Sequence, residues 1–587
     1  MPSAQRPGVE GRALLRALWR LVRPYWSSPD AKWAFALLLV AIALQMGGVY
    51  ANLLVSDAQR DVGDALGSRN VDAFGRGIAL SIAFMLLVVV VPTYSEWVQE
   101  LIRVRWRRWF THYYIERWIG PQAYCQSELH RKGLDNPDVR IAEDVRDFVA
   151  SALGLSLTLL SAVVTLVSFG ALLWRLSSKW AIPLGGATIR VPGLMLWVAI
   201  GFALFSMWIT NVVGRKLVPL NFDKIRFEAD FRYGLVRYRD HVEAVALTRG
   251  EAVERLGAID RFQRVVENFY DLIRAQRNLG ILTQSIGQTN SLVPLVIAAL
   301  AYFADLLTLG VIAQTRYAYG QVAGGLAWFV DAYQEIARWR ANIERLTSFS
   351  DAIAATERAF ASGGIRVEAA DVGALRLEDL QVEAPRGHVV LAECNATARA
   401  GQRIAITGPQ GSGRTTLMRA LAGIWPFGAG RIEAPPRESM LFLAQKPYLP
   451  IGTLRTALCY PSKPGTFSDA RIAEALEIFG APLLSQRLDE DEPWDQQLAP
   501  HEQQRVALAR VLLHEPAWIL LDEATSDLDA STENKAYAVL DERLPNATLI
   551  AVAERPGVLP YLPERWTLEA GADGRAVLMA RHAHRVS

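Results

Sequence analysis

The chain has 587 residues, a formal net charge of only +2, and a hydrophobic fraction of 51%. Such a balanced charge excludes the global electrostatic field that attracts proteins to nucleic acid. The mean hydropathy of +0.14 exceeds that of ordinary soluble proteins, and the apolar excess lies in the first half of the chain. Three widely spaced cysteines, Cys125, Cys394 and Cys459, exclude a disulfide framework and a C-x-x-C metal site.

The N-terminal segment is basic from Arg6 to Arg23. It lacks the short apolar core and small-residue cleavage site of a signal peptide. We therefore expect Gly11–Trp26 to form an amphipathic, Arg-rich helix on the cytoplasmic face of a membrane.

Six segments of the first half are long and apolar enough to cross a membrane. A hydrocarbon core about 30 Å thick requires about 20 helical residues. The predicted spans are Trp33–Val55, Gly77–Val98, Leu153–Trp174, Pro192–Gly214, Leu282–Ala304 and Leu309–Asp331. The sixth has the weakest pattern because Gln314, Arg316 and Gln321 interrupt it.

The distribution of basic residues predicts how the spans are oriented. Arginine is abundant between spans two and three and between spans four and five, whereas Ser56–Arg76 balances three Arg with four Asp. Because Arg-rich loops stay in the cytoplasm, we expect a multi-pass protein of the inner (plasma) membrane with both termini cytoplasmic. Helical periodicity in Val98–Gln122 and Leu217–Val245 predicts that membrane helices continue beyond the bilayer.

Polar residues recur in the last two spans. They are Gln284, Gln288 and Asn290 in span five, and Gln314, Arg316, Tyr317 and Gln321 in span six. Polar groups within a membrane usually face a cavity or a partner helix. The pattern favours a water-filled pathway, and the alternative is hydrogen bonding between helices with Arg316 extending to the outer interface.

The composition changes after Arg345. Residues 346–371, rich in Ala, Gly and charge, are typical of a linker. Beyond them, short apolar runs alternate with helical patterns, as in an open sheet flanked by helices. The sequence thus predicts a membrane domain over 1–345, a linker over 346–371 and an α/β domain over 372–587.

A glycine-rich turn follows the buried-strand pattern of Arg403–Thr407 and precedes a helical segment. The turn consists of Gly408, Pro409, Gln410, Gly411, Ser412, Gly413, Arg414, Thr415 and Thr416. Glycines allow backbone N–H groups to converge on a phosphate, and the helix N-terminus adds a favourable partial charge. Thr415 stands where a hydroxyl binds Mg²⁺, but Arg414 replaces the usual lysine.

A second apolar strand, Trp518–Leu521, ends in Asp522 and Glu523. One carboxylate at such a strand end can hold the Mg²⁺ shell, and its neighbour can orient or deprotonate an attacking water. The roughly hundred residues between the two motifs predict adjacent strands with an inserted helical lobe.

Further segments resemble the ATP-binding cassette of ABC transporters. They are Gln445 after an apolar strand, the run Glu502–Arg510 and the acidic strand end. In the membrane half, Asn136–Asp144 and Glu228–Tyr233 look like the cytoplasmic-loop motifs of fused permease–ATPases. The chain resembles two groups of these proteins, the BacA/SbmA-like peptide and cobalamin importers and the subfamily D half-transporters. The resemblance implies a multidomain membrane protein, with a six-helix α transmembrane domain followed by an α/β P-loop nucleotide-binding domain.

The resemblance also implies roles and partners. The protein would be a homodimer, or a heterodimer with another half-transporter, that clamps ATP between the P-loop of one cassette and the signature segment of the other. Residues 408–416 would bind phosphates; Thr415, Gln445 and Asp522 would hold Mg²⁺; and Glu523 would be the catalytic base. Gln445 would also sense the membrane half.

Three departures from the family pattern affect the chemistry. Arg414 replaces a lysine, and a planar guanidinium does not reproduce a compact ammonium at a tight phosphate site. The signature segment reads Leu498, Ala499, Pro500, His501 and Glu502, so a serine hydroxyl is lost at Ala499 and a small residue at His501. Glu554 takes the catalytic position of a switch histidine and would repel the γ-phosphate.

These departures leave two interpretations open. In the first, a homodimer hydrolyses ATP despite the changes. In the second, the chain binds nucleotide with little hydrolysis, either as the degenerate subunit of a heterodimer or as a nucleotide-gated permease. A soluble-type ATPase merely tethered to the membrane would not need six spans.

The cargo is predicted only by class. The polar residues of spans five and six indicate a hydrophilic solute, and the resemblance implies uptake of peptides or cobalamin-like molecules. A fatty acyl or lipid cargo is the alternative, because subfamily D relatives handle such compounds.

Overall fold

A computed structural model describes most of the chain. The described residues are 11–120, 136–178, 180–184, 187–361, 364–369, 373–385, 387–553, 555–570 and 575–582. The chain forms two compact units, the first comprising Met1–Tyr114 with Pro137–Ser348 and the second Ile115–Asn136 with Phe349–Ser587.

The first unit is built mainly from long helices. They are α1 (Gly11–Trp26), α2 (Ala31–Gly67), α3 (Val71–Ile119), α4 (Pro137–Ser177), α5 (Leu194–Gly214), α6 (Leu217–Asp240), α7 (Val242–Thr248), α8 (Glu251–Phe303) and α9 (Leu309–Ala361). Five of them, α2, α3, α4, α5 and α8, are long and apolar enough to cross a membrane. The sixth predicted span is the first part of α9, whose polar residues keep it out of this group.

The N-terminal helix has the predicted bounds. Its last turn packs against α3, where the ring of Tyr25 stacks on Trp106 at 5.4 Å between ring centroids. Leu15 and Trp19, four residues apart, are exposed. This pattern agrees with an amphipathic helix that buries one end and leaves an apolar stripe free.

Helix continuity differs from the prediction at two places. The segment Leu217–Val245 does not prolong α5 without a break, because a turn at Arg215 and Lys216 separates α5 from α6. In contrast, α8 is a single helix of 53 residues that begins about thirty residues before the predicted span. A two-stranded antiparallel hairpin of β1 (Ala181–Leu184) and β2 (Ala187–Arg190), which the sequence did not predict, precedes α5.

Three polar residues of the sixth span bind α2. The amide of Gln314 donates to Asp57 Oδ1 at 2.8 Å, and Tyr317 Oη and Gln321 Nε2 donate to Asn52 Oδ1 at 2.6 and 3.3 Å. These contacts agree with the alternative interpretation, hydrogen bonding between helices. Gln314 is buried, whereas Tyr317 and Gln321 are half-exposed, and that they line a pathway stays a prediction. In span five, Gln284 and Gln288 are exposed in the single chain.

The second unit is an α/β domain around one ten-stranded sheet. Its strands are β3 (Ile365–Ala369), β4 (Ala374–Glu383), β5 (Val389–Arg399), β6 (Arg403–Thr407), β7 (Gly428–Ala434), β8 (Met440–Ala444), β9 (Trp518–Asp522), β10 (Thr548–Val552), β11 (Glu564–Ala570) and β12 (Ala576–His582), in spatial order β3-β7-β4-β5-β12-β11-β6-β10-β9-β8. Its helices are α10 (Arg414–Leu421), α11 (Leu454–Cys459), α12 (Asp469–Ile478), α13 (Trp494–Gln497), α14 (Pro500–His514) and α15 (Ala530–Arg543).

The sheet is buried on both faces. Along β6, Ile404 and Ile406 join the core on one face while Ala405 joins the core on the other. Strands β6, β10, β9 and β8 run parallel, so their carboxyl ends meet at one edge of the sheet. The predicted adjacency of β6 and β9 is wrong, because β10 pairs with both and separates them.

The segment predicted as a linker contains regular structure. Helix α9 continues through it to Ala361, and Ile365–Ala369 forms β3 beside β7. Ala has a high helix propensity, so an Ala-rich charged segment can prolong a helix as readily as form a linker. The domain boundaries themselves stay a prediction.

Candidate nucleotide-binding site

The glycine-rich turn lies between β6 and α10 at the carboxyl edge of the sheet. Gly413, the N-cap of α10, has φ +92°, a conformation that side chains rarely adopt. A Cβ there would lie 2.7 Å from Val390 Cγ1, so this position excludes a larger residue. The close approach brings the N-terminus of α10, where backbone N–H groups point away from the helix, to the edge where the strand ends meet.

The turn fits a phosphate group. The hydroxyl oxygen of Ser412 is buried and has no hydrogen-bond partner in the structure, although the Ser412 backbone N–H donates to Pro409 O at 3.2 Å. A buried hydroxyl without a partner is costly, and a phosphate oxygen is an acceptor that would satisfy it. Together with the helix N-terminus, this donor set suits an anion.

Two neighbouring residues at the start of α10 meet the two acids at the end of β9. Thr415 Oγ1 donates to Asp522 Oδ1 at 3.3 Å, and Arg414 Nη2 lies 3.2 Å from Glu523 Oε1. The Arg414 side chain is only 7% exposed. The structure therefore brings together the glycine-rich turn, which follows β6, and the acid pair, which ends β9. They meet although β10 lies between these two strands.

Asp522 presents a carboxylate in a partly buried position. Burial, together with the nearby charge of Glu523, raises the pKa of Asp522 above its ordinary value, and the hydrogen bond from Thr415 opposes this shift. A divalent cation would favour the ionised form. One carboxylate and one hydroxyl, completed by substrate phosphates, match the way Mg²⁺ is held in phosphate sites, so the residues fit this ion.

Gln445 lies directly after β8, at the same sheet edge, and its side chain is exposed. Its backbone oxygen accepts a hydrogen bond from Gln504 Nε2 at 3.0 Å. The predicted metal-binding role of the Gln445 side chain is not tested by these contacts.

Gln504 is an organising residue that the sequence did not single out. Its side chain is fully buried on α14, donates to Gln445 O and to Asp527 Oδ2, and accepts from Asp527 N at 3.0 Å. It thus ties the segment after β8 to the turn after the acid pair. Its place in the run Glu502–Arg510, which resembles a family motif, was the available signal.

The signature segment forms the start of α14. Ala499 is the N-cap, Pro500 is the first helical residue, and the Glu502 carboxylate accepts from Ala499 N at 3.0 Å. An alanine cannot supply the reciprocal side-chain bond of a capping box. Leu498 is buried and His501 exposed. Outside the backbone ladder of α14, the hydrogen bonds of the segment among the described residues stay within residues 494–503.

The switch position, Glu554, lies outside the described residues. The next residue, Arg555, donates to Leu528 O at 2.6 Å and to Ser526 O at 3.0 Å, and pairs with Glu533 at 3.0 Å. This arginine fixes the turn after the acid pair to the end of β10. The sequence analysis missed it, because a single arginine after a strand carries no recognisable pattern.

The motif Asn136–Asp144 of the sequence analysis contributes to an ionic cluster around a buried aspartate, Asp144. Residues Arg140–Asp144 form a π-helical turn in α4, a feature that often marks functional positions. Asp144 binds Arg140 at 2.8 Å and Arg345 of α9 at 2.7 Å. Burial of Asp144 opposes ionisation, but hydrogen bonds from Arg345 and Arg140 outweigh it, so the pKa of Asp144 lies below its ordinary value.

Comparisons with known proteins agree with this architecture. Residues 21–303 match the family model of the ABC transporter transmembrane region 2, and residues 391–526 match that of the ABC transporter. An uncharacterized ABC transporter ATP-binding protein of Synechocystis is 32% identical over 93% of this chain and 81% of its own length.

More distant relatives cover nearly the whole chain. The inner membrane ABC transporter ATP-binding protein YddA of Escherichia coli is 28% identical, over 93% of this chain and 96% of its own. The human lysosomal cobalamin transporter ABCD4 is 24% identical over 94% of both chains. The structure of a bacterial Atm1-family ABC exporter with ATP bound has the same fold, with a TM-score of 0.67, 18% identity and coverage of 92% of this chain and 94% of its own.

Together, the membrane helices, the cassette sheet and the matches over both halves identify the family. ABC half-transporters function as dimers, and the ATPase domain implies that ATP is bound. The chain belongs to the ABC transporters, as a half-transporter that joins a transmembrane region and an ABC ATPase domain in one polypeptide.

Proposed function

We propose that the protein couples ATP binding and hydrolysis to the uptake of a hydrophilic solute across the inner membrane, with both termini in the cytoplasm. The observation that carries the proposal is the meeting of the glycine-rich turn with the acid pair, through Thr415–Asp522 at 3.3 Å and Arg414–Glu523 at 3.2 Å. Transport requires an energy source, and this arrangement suits the capture of a magnesium-bound triphosphate.

Each residue has a role in the proposed reaction. The backbone of residues 408–416 holds the phosphates, and Ser412 Oγ donates to one of their oxygens. Thr415 and Asp522, with Gln445, would hold Mg²⁺, and the ion would supply positive charge to offset that of the transferring phosphoryl group. Glu523 orients the attacking water and accepts its proton. Glu554 would face the γ-phosphate without donating to it.

A second copy of this chain is the proposed partner. Helix α6 has no buried residue in the single chain, and large apolar side chains of α6, α7 and α8 are exposed. They include Val218, Phe222, Leu247 and Val253, each more than 65% exposed. An apolar surface of this kind marks an interaction site, and a second half-transporter supplies a surface of the same chemistry.

The proposed cargo is a hydrogen-bonding solute such as a peptide or a cobalamin-like molecule. Gln284 and Gln288 lie four residues apart on α8, hence on one face, and both are exposed within a predicted span. Exposed amides are unfavourable against lipid, so they favour a hydrated pathway. The human ABCD4 relative, a lysosomal cobalamin transporter, points to cobalamin. A fatty acyl or lipid cargo is the alternative to be tested in parallel.

A second candidate function is that of a nucleotide-binding subunit with little hydrolysis, in a heterodimer or as a nucleotide-gated permease. It is favoured by the ion pair that engages Glu523 and by Ala499, which has no hydroxyl at the cap of the signature helix. Losing one positioned donor typically slows turnover by about 10²–10³.

Reconstituted protein separates the two candidates. Proteoliposomes of the purified chain alone are assayed for Mg-ATPase activity and for ATP-dependent uptake of a labelled peptide, cobalamin and a fatty acyl compound, with Glu523→Gln as the inactive variant. We expect Glu523-dependent hydrolysis and uptake of one hydrophilic cargo. ATP binding without hydrolysis would support the second candidate, and co-purification of a different half-transporter would exclude the homodimer.

A further inference from the structure

The residue that departs from the P-loop pattern contacts the residue proposed as the catalytic base. Arg414 Nη2 lies 3.2 Å from Glu523 Oε1, and the two side chains are 7% and 24% exposed. Little water therefore screens the pair, and the attraction between opposite charges in such a place is stronger than on the surface.

The backbone keeps Glu523 at this position. Its φ is +52°, in the left-handed region that a residue with a side chain enters at a cost. Arg414 is the first residue of α10 and directly follows the N-cap Gly413, whose position leaves no room for a Cβ. The backbone before Arg414 is therefore closely packed. The pair thus joins two constrained ends, that of the glycine-rich turn and that of β9.

We infer that Arg414 and Glu523 form a resting ion pair that nucleotide must displace, so that Glu523 restrains nucleotide binding through Arg414. This inference rests on the proposed function and adds a regulatory contact to it. A guanidinium engaged by a carboxylate has fewer donors for a phosphate oxygen, and the carboxylate has a weaker hold on a water proton. Phosphate binding to Arg414 then frees Glu523 at the moment when a substrate is present.

A thermodynamic cycle tests the inference by binding rather than by activity. The full chain in lipid nanodiscs is titrated with the non-hydrolysable analogue AMP-PNP and Mg²⁺. Glu523→Asp keeps the charge but withdraws the carboxylate by one methylene, and Glu523→Gln removes the charge. If the pair competes with phosphate, both variants bind the analogue more tightly, by about tenfold for a coupling of roughly 1.4 kcal/mol. If the carboxylate at position 523 merely repelled the phosphates, Glu523→Gln would bind the analogue more tightly and Glu523→Asp would not.

The arginine partner is tested in the same titration. In an Arg414→Lys background, the gain from Glu523→Asp should fall to about twofold or less, because the ammonium lacks the second donor arm. Arg419→Lys is the matched control on the same helix, with an exposed side chain, and should leave the tenfold gain intact. Arg414→Gln replaces Arg414→Lys if the latter does not fold, as judged by thermal unfolding.

The outcomes separate the two proposals. No binding of the analogue by the unchanged protein would overturn the proposed function and this inference with it. Normal binding without a gain in Glu523→Asp, or an equal gain in the Arg414→Lys and Arg419→Lys backgrounds, would overturn only the ion-pair inference.

Discussion

Replacing Arg345 by leucine should weaken the membrane unit far more than an equivalent change nearby. Arg345 donates through Nε and Nη2 to both oxygens of Asp144, at 2.9 and 2.7 Å. Asp144 is buried, with a side chain 5% exposed, and Arg140 supplies its other cation at 2.8 Å. Without Arg345, a buried carboxylate keeps one of its two cationic partners.

The magnitude follows from this geometry. Removing one partner from a buried ion pair costs about 3–5 kcal/mol. Because Arg140 remains and Arg345 is itself 41% exposed, we expect about 2–3 kcal/mol, or a fall in the unfolding temperature of about 3–5 °C. The control is Arg338→Leu, two turns earlier on α9, whose pair with Glu335 spans 3.5 Å with the arginine 73% exposed. A surface pair of this kind contributes about 0–1 kcal/mol.

Thermal unfolding in lipid nanodiscs, followed by tryptophan fluorescence at one heating rate, provides the assay. Trp106 and Trp339 both lie against Phe148, one turn from Asp144, and report on this region. Arg345→Leu combined with Asp144→Asn should lose less than the sum of the single changes, since the buried side chain at position 144 then carries no charge. Equal unfolding temperatures for Arg345→Leu and Arg338→Leu would refute the reasoning.

Three further predictions concern the cassette. Gln504→Leu leaves Gln445 O and Asp527 N without their buried partner, so hydrogen exchange of the segments around residues 445 and 527 should accelerate; unchanged exchange would contradict the role of Gln504. Burial lowers the pKa of His514, and the bond to Cys459 O only partly opposes it. The unfolded chain therefore binds the proton on this histidine more readily than the folded chain does. Lowering the pH from about 7.5 to about 5.5 should then reduce the thermal unfolding temperature, and should reduce it less in His514→Gln. Gly413→Val should abolish nucleotide binding, because its Cβ would meet Val390 at 2.7 Å, whereas Gly411→Ala, where no atom lies within 4 Å, should bind with only a modest loss from its positive φ.

Features with local causes were predictable from the sequence. Helix α1 has the predicted bounds because its amphipathic period and the polar residues after it are both local signals. The glycine-rich turn and the acid pair lie at strand ends as predicted, because buried strands read as continuous apolar runs.

Features that depend on distant partners were not predictable. Gln314 and Gln321 fit a pathway or a helix contact equally well by sequence, and only the folded chain shows that both bind α2. Strand order likewise depends on tertiary pairing, so nothing in the sequence placed β10 between β6 and β9. The contact between Arg414 and Glu523 joins residues 109 positions apart, and the unusual arginine gave no sign of its partner.

The capture of ATP by residues 408–416 beside Asp522 and Glu523 is the central claim, and equilibrium titration of the purified full chain with Mg-ATP tests it most directly. We predict saturable binding with a dissociation constant below about 1 mM, equivalent to about −4 kcal/mol or better, and its loss in Gly413→Val. Saturation of the Gly413→Val variant at the same concentration as the unchanged protein, or no saturation of either at several millimolar, would contradict the claim.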